Sequence, residues 1–157
     1  MLGRLTTQQG FTLFELLTTL GIAAILTTLA VPAYHSFIQQ EKHTRTVNQL
    51  QSLYKFSRSE AIKRETVVTL KPVPKQTNNW QVTLPSKNDK VLRTFALNDS
   101  AITVSGLENI QLSSNGNTSA QSIEIKDPKA YAATKWLCIF PSGQLIVQSS
   151  QCPNAGA

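Results

Sequence analysis

An α+β fold is predicted: one long N-terminal helix, its first half of membrane-spanning length, packed beyond that on a C-terminal antiparallel β-sheet domain. Three observations predict it. Residues 11–31 are apolar apart from threonines, Gly21 and Glu15. Helical periodicity then continues from Ala33 to about Glu65. After that, short β-branched segments succeed one another between turn signals, with no helical pattern among them, which is the signature of antiparallel sheet rather than βαβ units.

The 21 residues from Phe11 to Val31 make about 31 Å of helix, enough to cross a bilayer once. A removable secretory signal fits poorly. The apolar run is too long, it contains a carboxylate, and Ala30-Val31-Pro32-Ala33 is not a clean small-x-small cleavage site. Arg4, the one basic side chain ahead of the run, favours a cytoplasmic N-terminus and a body on the far side of the membrane. Pro32 stands where it can kink a helix that continues. Beyond it, Val47, Leu50, Tyr54, Ala61 and Ile62 recur at spacings near three, four and seven, and form a core-facing stripe. Lys42, Arg45, Lys55, Arg58, Lys63 and Arg64 occupy the opposite face.

Strands are expected at residues 66–70, 80–84, 91–97, 102–105, 110–113, 122–126, 135–140 and 144–148. Turns are marked by Asn78-Asn79, Asn98-Asp99, Asn115-Gly116-Asn117 and Pro141-Ser142-Gly143. Residues 153–157 read as a small, polar, frayed tail. The chain length suits one membrane helix and one modest domain.

Composition narrows the function. Fifteen Lys+Arg against nine Asp+Glu give +6; without Arg4 the balance is 14 against 9, or +5. A moderately basic domain is compatible with anionic partners or with simple solubility. The two cysteines, Cys138 and Cys152, lie late in a domain placed in an oxidising space, so a disulfide is expected, with two unpaired thiols as the alternative. Its 15-residue loop is worth about 3 kcal/mol in the chain-entropy account. No Gly-x-Ser-x-Gly elbow or phosphate-binding glycine loop occurs. His35 and His43 share a helix face but stand about 12 Å apart along it, too far for one metal site; both are assigned to the membrane-proximal surface. Glu60 and Glu65 are expected to be solvated or paired with nearby basic residues. No enzyme activity, cofactor or metal is expected.

Glu15 is the costly residue. A charge at the centre of a membrane helix costs roughly 2.5–3.5 kcal/mol, and such residues are usually functional. A plain anchor whose Glu15 sits among the headgroups is the alternative. Gly10-Phe11-Thr12-Leu13-Phe14-Glu15-Leu16-Leu17 resembles the processing and assembly motif of type IV prepilins and type II secretion pseudopilins. The resemblance implies a type IV pilin-like fold and a leader, residues 1–10, removed by prepilin peptidase between Gly10 and Phe11. It implies N-methylation of Phe11, and Glu15 neutralising the terminal amine of a neighbouring subunit. Two buried opposite charges each relieve the other's penalty, so packing becomes favourable and the stagger is set. The implied organisation is leader 1–10, transmembrane and assembly helix 11–31, helix continuation 32–65 and β-rich domain 66–157. The implied partners are other subunits, the peptidase and the bacterial inner membrane before assembly.

Arg58-Ser59-Glu60-Ala61-Ile62-Lys63-Arg64 ending the helix, a strand near Trp80 and a late cysteine before a glycine-containing turn are similar to the H-type pseudopilins and the FimT and FimU minor pilins. A minor subunit that initiates or caps a filament is the role this implies. Some FimT-like minor pilins take up DNA through a Gly-Arg-x-Arg pattern near the C-terminus. Here the corresponding Gly143-Gln144-Leu145-Ile146 lacks both arginines, which weakens a DNA-binding reading. Lys126, Lys129 and Lys135 are candidate DNA contacts, with Tyr131 and Trp136 for base stacking. The favoured alternative makes Trp136 core and the lysines a solvated face.

Overall fold

Thr12-Leu13-Phe14-Glu15 has the pattern of a helix-capping box, and it starts helix α1 (Leu13–Lys63). The Glu15 N–H donates to Thr12 Oγ1 at 3.2 Å, and the Leu16 N–H donates to the Thr12 carbonyl at 3.2 Å. The computed structural model describes residues 11–74, 79–96 and 102–153. Gly10, Asn78, Leu97, the Asn98-Asp99 turn and residues 154–157, all expected features of the sequence, lie outside them. The chain divides into two compact units, one ending at Ile38 and one beginning at Gln39. α1 continues through Pro32, whose missing N–H leaves the Thr28 carbonyl without its usual donor.

In the second unit, α1 buries His43, Thr46, Val47, Leu50, Leu53, Tyr54, Ser57 and Ala61. The helix ends in a Schellman arrangement: Thr66 N–H donates to the Ala61 carbonyl and Glu65 N–H to that of Ile62, both at 3.2 Å, with Glu65 left-handed at φ 51°. Residues 66 and 67 are spent on this turn, so strand β1 begins at Val68, not Thr66.

Among the described residues eight strands follow: β1 (Val68–Pro72), β2 (Asn79–Leu84), β3 (Lys90–Ala96), β4 (Thr103–Ser105), β5 (Ile110–Leu112), β6 (Gln121–Lys126), β7 (Lys135–Ile139) and β8 (Leu145–Gln148). Among the described residues they form two antiparallel four-stranded sheets, ordered β3-β2-β1-β5 and β4-β6-β7-β8. The registers Leu70↔Val82 and Leu70↔Ile110 put apolar side chains on one face of the first sheet; Ile123↔Leu137 and Leu137↔Val147 do so in the second. Both faces meet Leu50, Leu53, Tyr54 and Ala61 of the helix in one buried cluster. Each fully buried aliphatic side chain there stabilises the fold by about 1.5–3 kcal/mol.

Three expectations are corrected here. Ile62 is 47% exposed. It stands one step of about 100° from Ala61, away from the sheets, where small Ser57 and Ala61 make the close approach instead. His43 is not on the surface but only 3% exposed, with Nε2 3.2 Å from the Ile125 carbonyl oxygen. It lies four residues before Val47, on the buried stripe. Arg58 is half-buried rather than solvated, because its guanidinium binds loop carbonyls. Glu60 pairs with Arg64 as expected.

Candidate functional site

The first site is the start of α1. Phe11 is 88% exposed, Thr12 caps, and Glu15 is exposed one turn later. Every side chain from residue 13 to residue 31 is exposed, and this stretch reaches a mean hydropathy of 1.9 over an 18-residue window. By length and composition it is able to cross a membrane. Its threonines do not spoil it. Thr18, Thr19, Thr27 and Thr28 hydroxyls donate to the carbonyls of Glu15, Leu16, Ala23 and Ile25 at 2.7–2.9 Å. Each hydroxyl is thereby satisfied inside its own helix, as hydrocarbon requires. Among the described residues, Glu15 has no cationic partner. Its backbone serves the cap, while its carboxylate remains exposed.

The second site is the loop end of the β domain. Tyr54 and Arg58, one turn apart on α1, face two turns. The Tyr54 hydroxyl donates to the Gly143 carbonyl at 3.1 Å. Arg58 donates from Nε to the Gly116 carbonyl and from Nη2 to that of Ser142, both at 3.1 Å. Gly143, at φ 74°, lies so close to the Gly116 carbonyl oxygen that a Cβ would collide with it. The glycine of the Gly143-Gln144-Leu145-Ile146 stretch is therefore demanded by packing, whatever follows it. Burial pushes the Tyr54 hydroxyl above its ordinary pKa, and the Arg58 charge opposes that rise. Sequence reasoning missed this clamp, although Arg58 being one turn after Tyr54 was the available signal.

The Cys138–Cys152 disulfide is present and joins β7 to the segment after β8. The three candidate lysines flank the β6–β7 connection. Lys126 and Lys129 are exposed, whereas Lys135 donates from Nζ to Ser149 Oγ at 2.9 Å. Buried Asp127 folds the connection, accepting the N–H groups of Lys129 at 2.9 Å and Tyr131 at 3.0 Å. Tyr131 is exposed. Trp136 is not core: it is half-buried, on the β7 face opposite Leu137 and Ile139, in register with Glu124 and Gln148. Period-two alternation puts it there. No cluster of three or more His, Cys, Asp or Glu side chains able to hold a metal occurs among the described residues.

A model of the type II transport protein GspH matches residues 46–143. A model of the prokaryotic N-terminal methylation motif matches residues 5–31. Fimbrial protein Q of Moraxella bovis is 44% identical over 43 residues, covering 27% of each chain. The chain thus spans about a quarter of the length of that curated relative. Among solved structures, the type IV minor pilin FimU of Pseudomonas aeruginosa superposes with a TM-score of 0.63 at 14% identity, covering 76% of this chain and 98% of that one. A second crystal form of FimU gives 0.56 at 14% identity, covering 74% and 98%. At that identity the likeness is one of fold. With a capped apolar helix at its head, a helix-packed pair of sheets behind it and a family match over more than half its length, the chain belongs to the family of the type II transport protein GspH, among the type IV pilins and pseudopilins.

Proposed function

We propose that this chain is a minor subunit that helps initiate or cap a type IV pilus or a type II secretion pseudopilus. Before assembly it resides in the bacterial inner membrane, N-terminus in the cytoplasm and β domain outside. Prepilin peptidase cuts between Gly10 and Phe11 and methylates the Phe11 amine. The role is structural rather than catalytic.

The observation that carries this reading is the exposed Glu15 carboxylate in a wholly exposed apolar helix. In hydrocarbon that charge is tolerable only with a partner. The terminal ammonium of a processed neighbour is a partner of the right sign. Pairing draws two apolar helices together and sets their stagger.

A second role for Glu15 competes with this one, because glutamate at the third helical position also suits a capping box and the helix dipole. Substitution separates the two. Glu15→Gln keeps the capping-box geometry and removes the charge; Glu15→Ala removes both. We expect both variants to be processed and neither to enter filaments, read by mass spectrometry of the N-terminus and by immunoblotting of sheared filaments. Normal incorporation of Glu15→Gln would refute the charge-pairing role.

A further inference from the structure

A groove of about 500 Å³ runs between the exposed polar face of α1 and strand β3. Glu41, Arg45, Asn48 and Ser52 line it from the helix; Arg93 and Phe95 line it from the strand. β3 ends the sheet order β3-β2-β1-β5, so among the described residues its outer edge pairs with no strand. Alternate residues of this seven-residue strand turn their N–H and C=O groups away from β2, leaving a template for another strand.

Charge decides what fits there. Lys90 and Arg93 are exposed on β3, and Arg45 is exposed across the groove; Glu41 is the single acid lining it. The Arg93 guanidinium lies over the Phe56 ring, 5.2 Å from its centroid, which orients the planar group; among the described residues its N–H donors have no hydrogen-bond partner and are available to carboxylates. Two copies of this edge would bring like charges together, so pairing with a second copy is disfavoured.

We propose that β3 and its groove form a strand-addition site for an extended acidic segment of a partner subunit of different sequence. Backbone hydrogen bonds to the β3 edge supply affinity, and carboxylates on alternate residues meet Arg93 and Arg45. That the partner is a filament subunit rests on the function proposed above. The recognition chemistry does not.

The test uses the full-length chain in detergent micelles and a fluorescein-labelled seven-residue peptide alternating Glu and Val, read by fluorescence anisotropy. We expect saturable binding. Replacing the peptide's Glu by Lys, or N-methylating alternate peptide nitrogens, weakens it at least about tenfold. Arg93→Glu and Arg45→Glu, on separate elements, each weaken it about tenfold, whereas Lys63→Glu leaves it unchanged. The proposal is overturned by no binding of the acidic peptide or by equal binding of the lysine peptide. It is overturned equally by wild-type affinity in both arginine variants, or by oligothymidylate outcompeting the peptide. Glu15→Gln retains full peptide binding. Failure of the peptide experiment with intact Glu15-dependent assembly therefore rejects the docking site alone, and the reverse outcome rejects the assembly role alone.

Discussion

Tyr54 joins the helix to the turn after β7 through one hydroxyl, and that hydroxyl is both buried and titratable. Its hydrogen bond to the Gly143 carbonyl is worth about 1 kcal/mol net, so Tyr54→Phe should lower stability by about that much at neutral pH. Burial raises the folded-state pKa of Tyr54 above the ordinary 10.0. The folded chain then holds this proton more tightly than the unfolded chain does. The resulting stabilisation is fully present below the unfolded pKa and is lost as pH rises through the folded one. Thermal melts of the full chain in detergent should therefore fall more steeply above pH 10 for the wild type than for Tyr54→Phe, and the two curves should converge. Parallel curves would show that the hydroxyl is not titrating under burial. Glu65 is a second residue whose cost is local. It holds a left-handed conformation at φ 51°, where glycine is normally found. Glu65→Gly should raise stability by up to about 1 kcal/mol by relieving that strain, measured by the same melts.

At the scale of elements, the turn containing Gly143 is held from three sides: by Tyr54, by Arg58 and by the carbonyl of Gly116. Gly143→Ala must both force an alanine to φ 74° and displace a backbone carbonyl. We expect a loss of at least about 2 kcal/mol, seen as a lowered melting temperature. Gln144→Ala, at an exposed position, should leave it unchanged. The contrast bears on legibility. The strands were readable within a residue or two because turn residues bound each one and alternation marks its faces. The helix stripe was readable through Val47, Leu50, Tyr54 and Ala61. Hydropathy alone misjudged Ile62 and His43, since what decides burial is angular position. His43 lies on the buried stripe and finds the Ile125 carbonyl there; Ile62 lies off it. Arg58 was misread because a guanidinium's partners are carbonyls 58 and 84 residues away in the chain, and no local pattern encodes them. The capping role of Thr12, by contrast, is encoded locally, in its spacing to Glu15.

For the whole molecule, one buried cluster joins α1 to both sheets, and the division into two sheets was the part least open to sequence. It depends on β5 pairing with β1 across some forty residues, a choice made by packing rather than by propensity. The disulfide was legible because only two cysteines occur; its work became clear from the strand order. β8 is the outer strand of its sheet, and Cys138 on β7 is bonded to Cys152 in the segment that follows β8. The bond thus pins the segment after β8 back onto β7, helped by Lys135 with Ser149 and by Gln148 with the Gln151 carbonyl. Those two hydrogen bonds involve exposed groups and are weak alone. The double variant Cys138→Ser, Cys152→Ser should therefore lose about 3 kcal/mol. Hydrogen exchange should rise first at the β8 amides, because an edge strand released at one end frays before the core opens. Strands β1 and β2, which pair in the other sheet, should keep their protection until global unfolding. Reduction of the wild type with dithiothreitol should reproduce the same order of loss. Uniform loss of protection across both sheets would show instead that the bond stabilises the domain as one cooperative unit and does not act through β8.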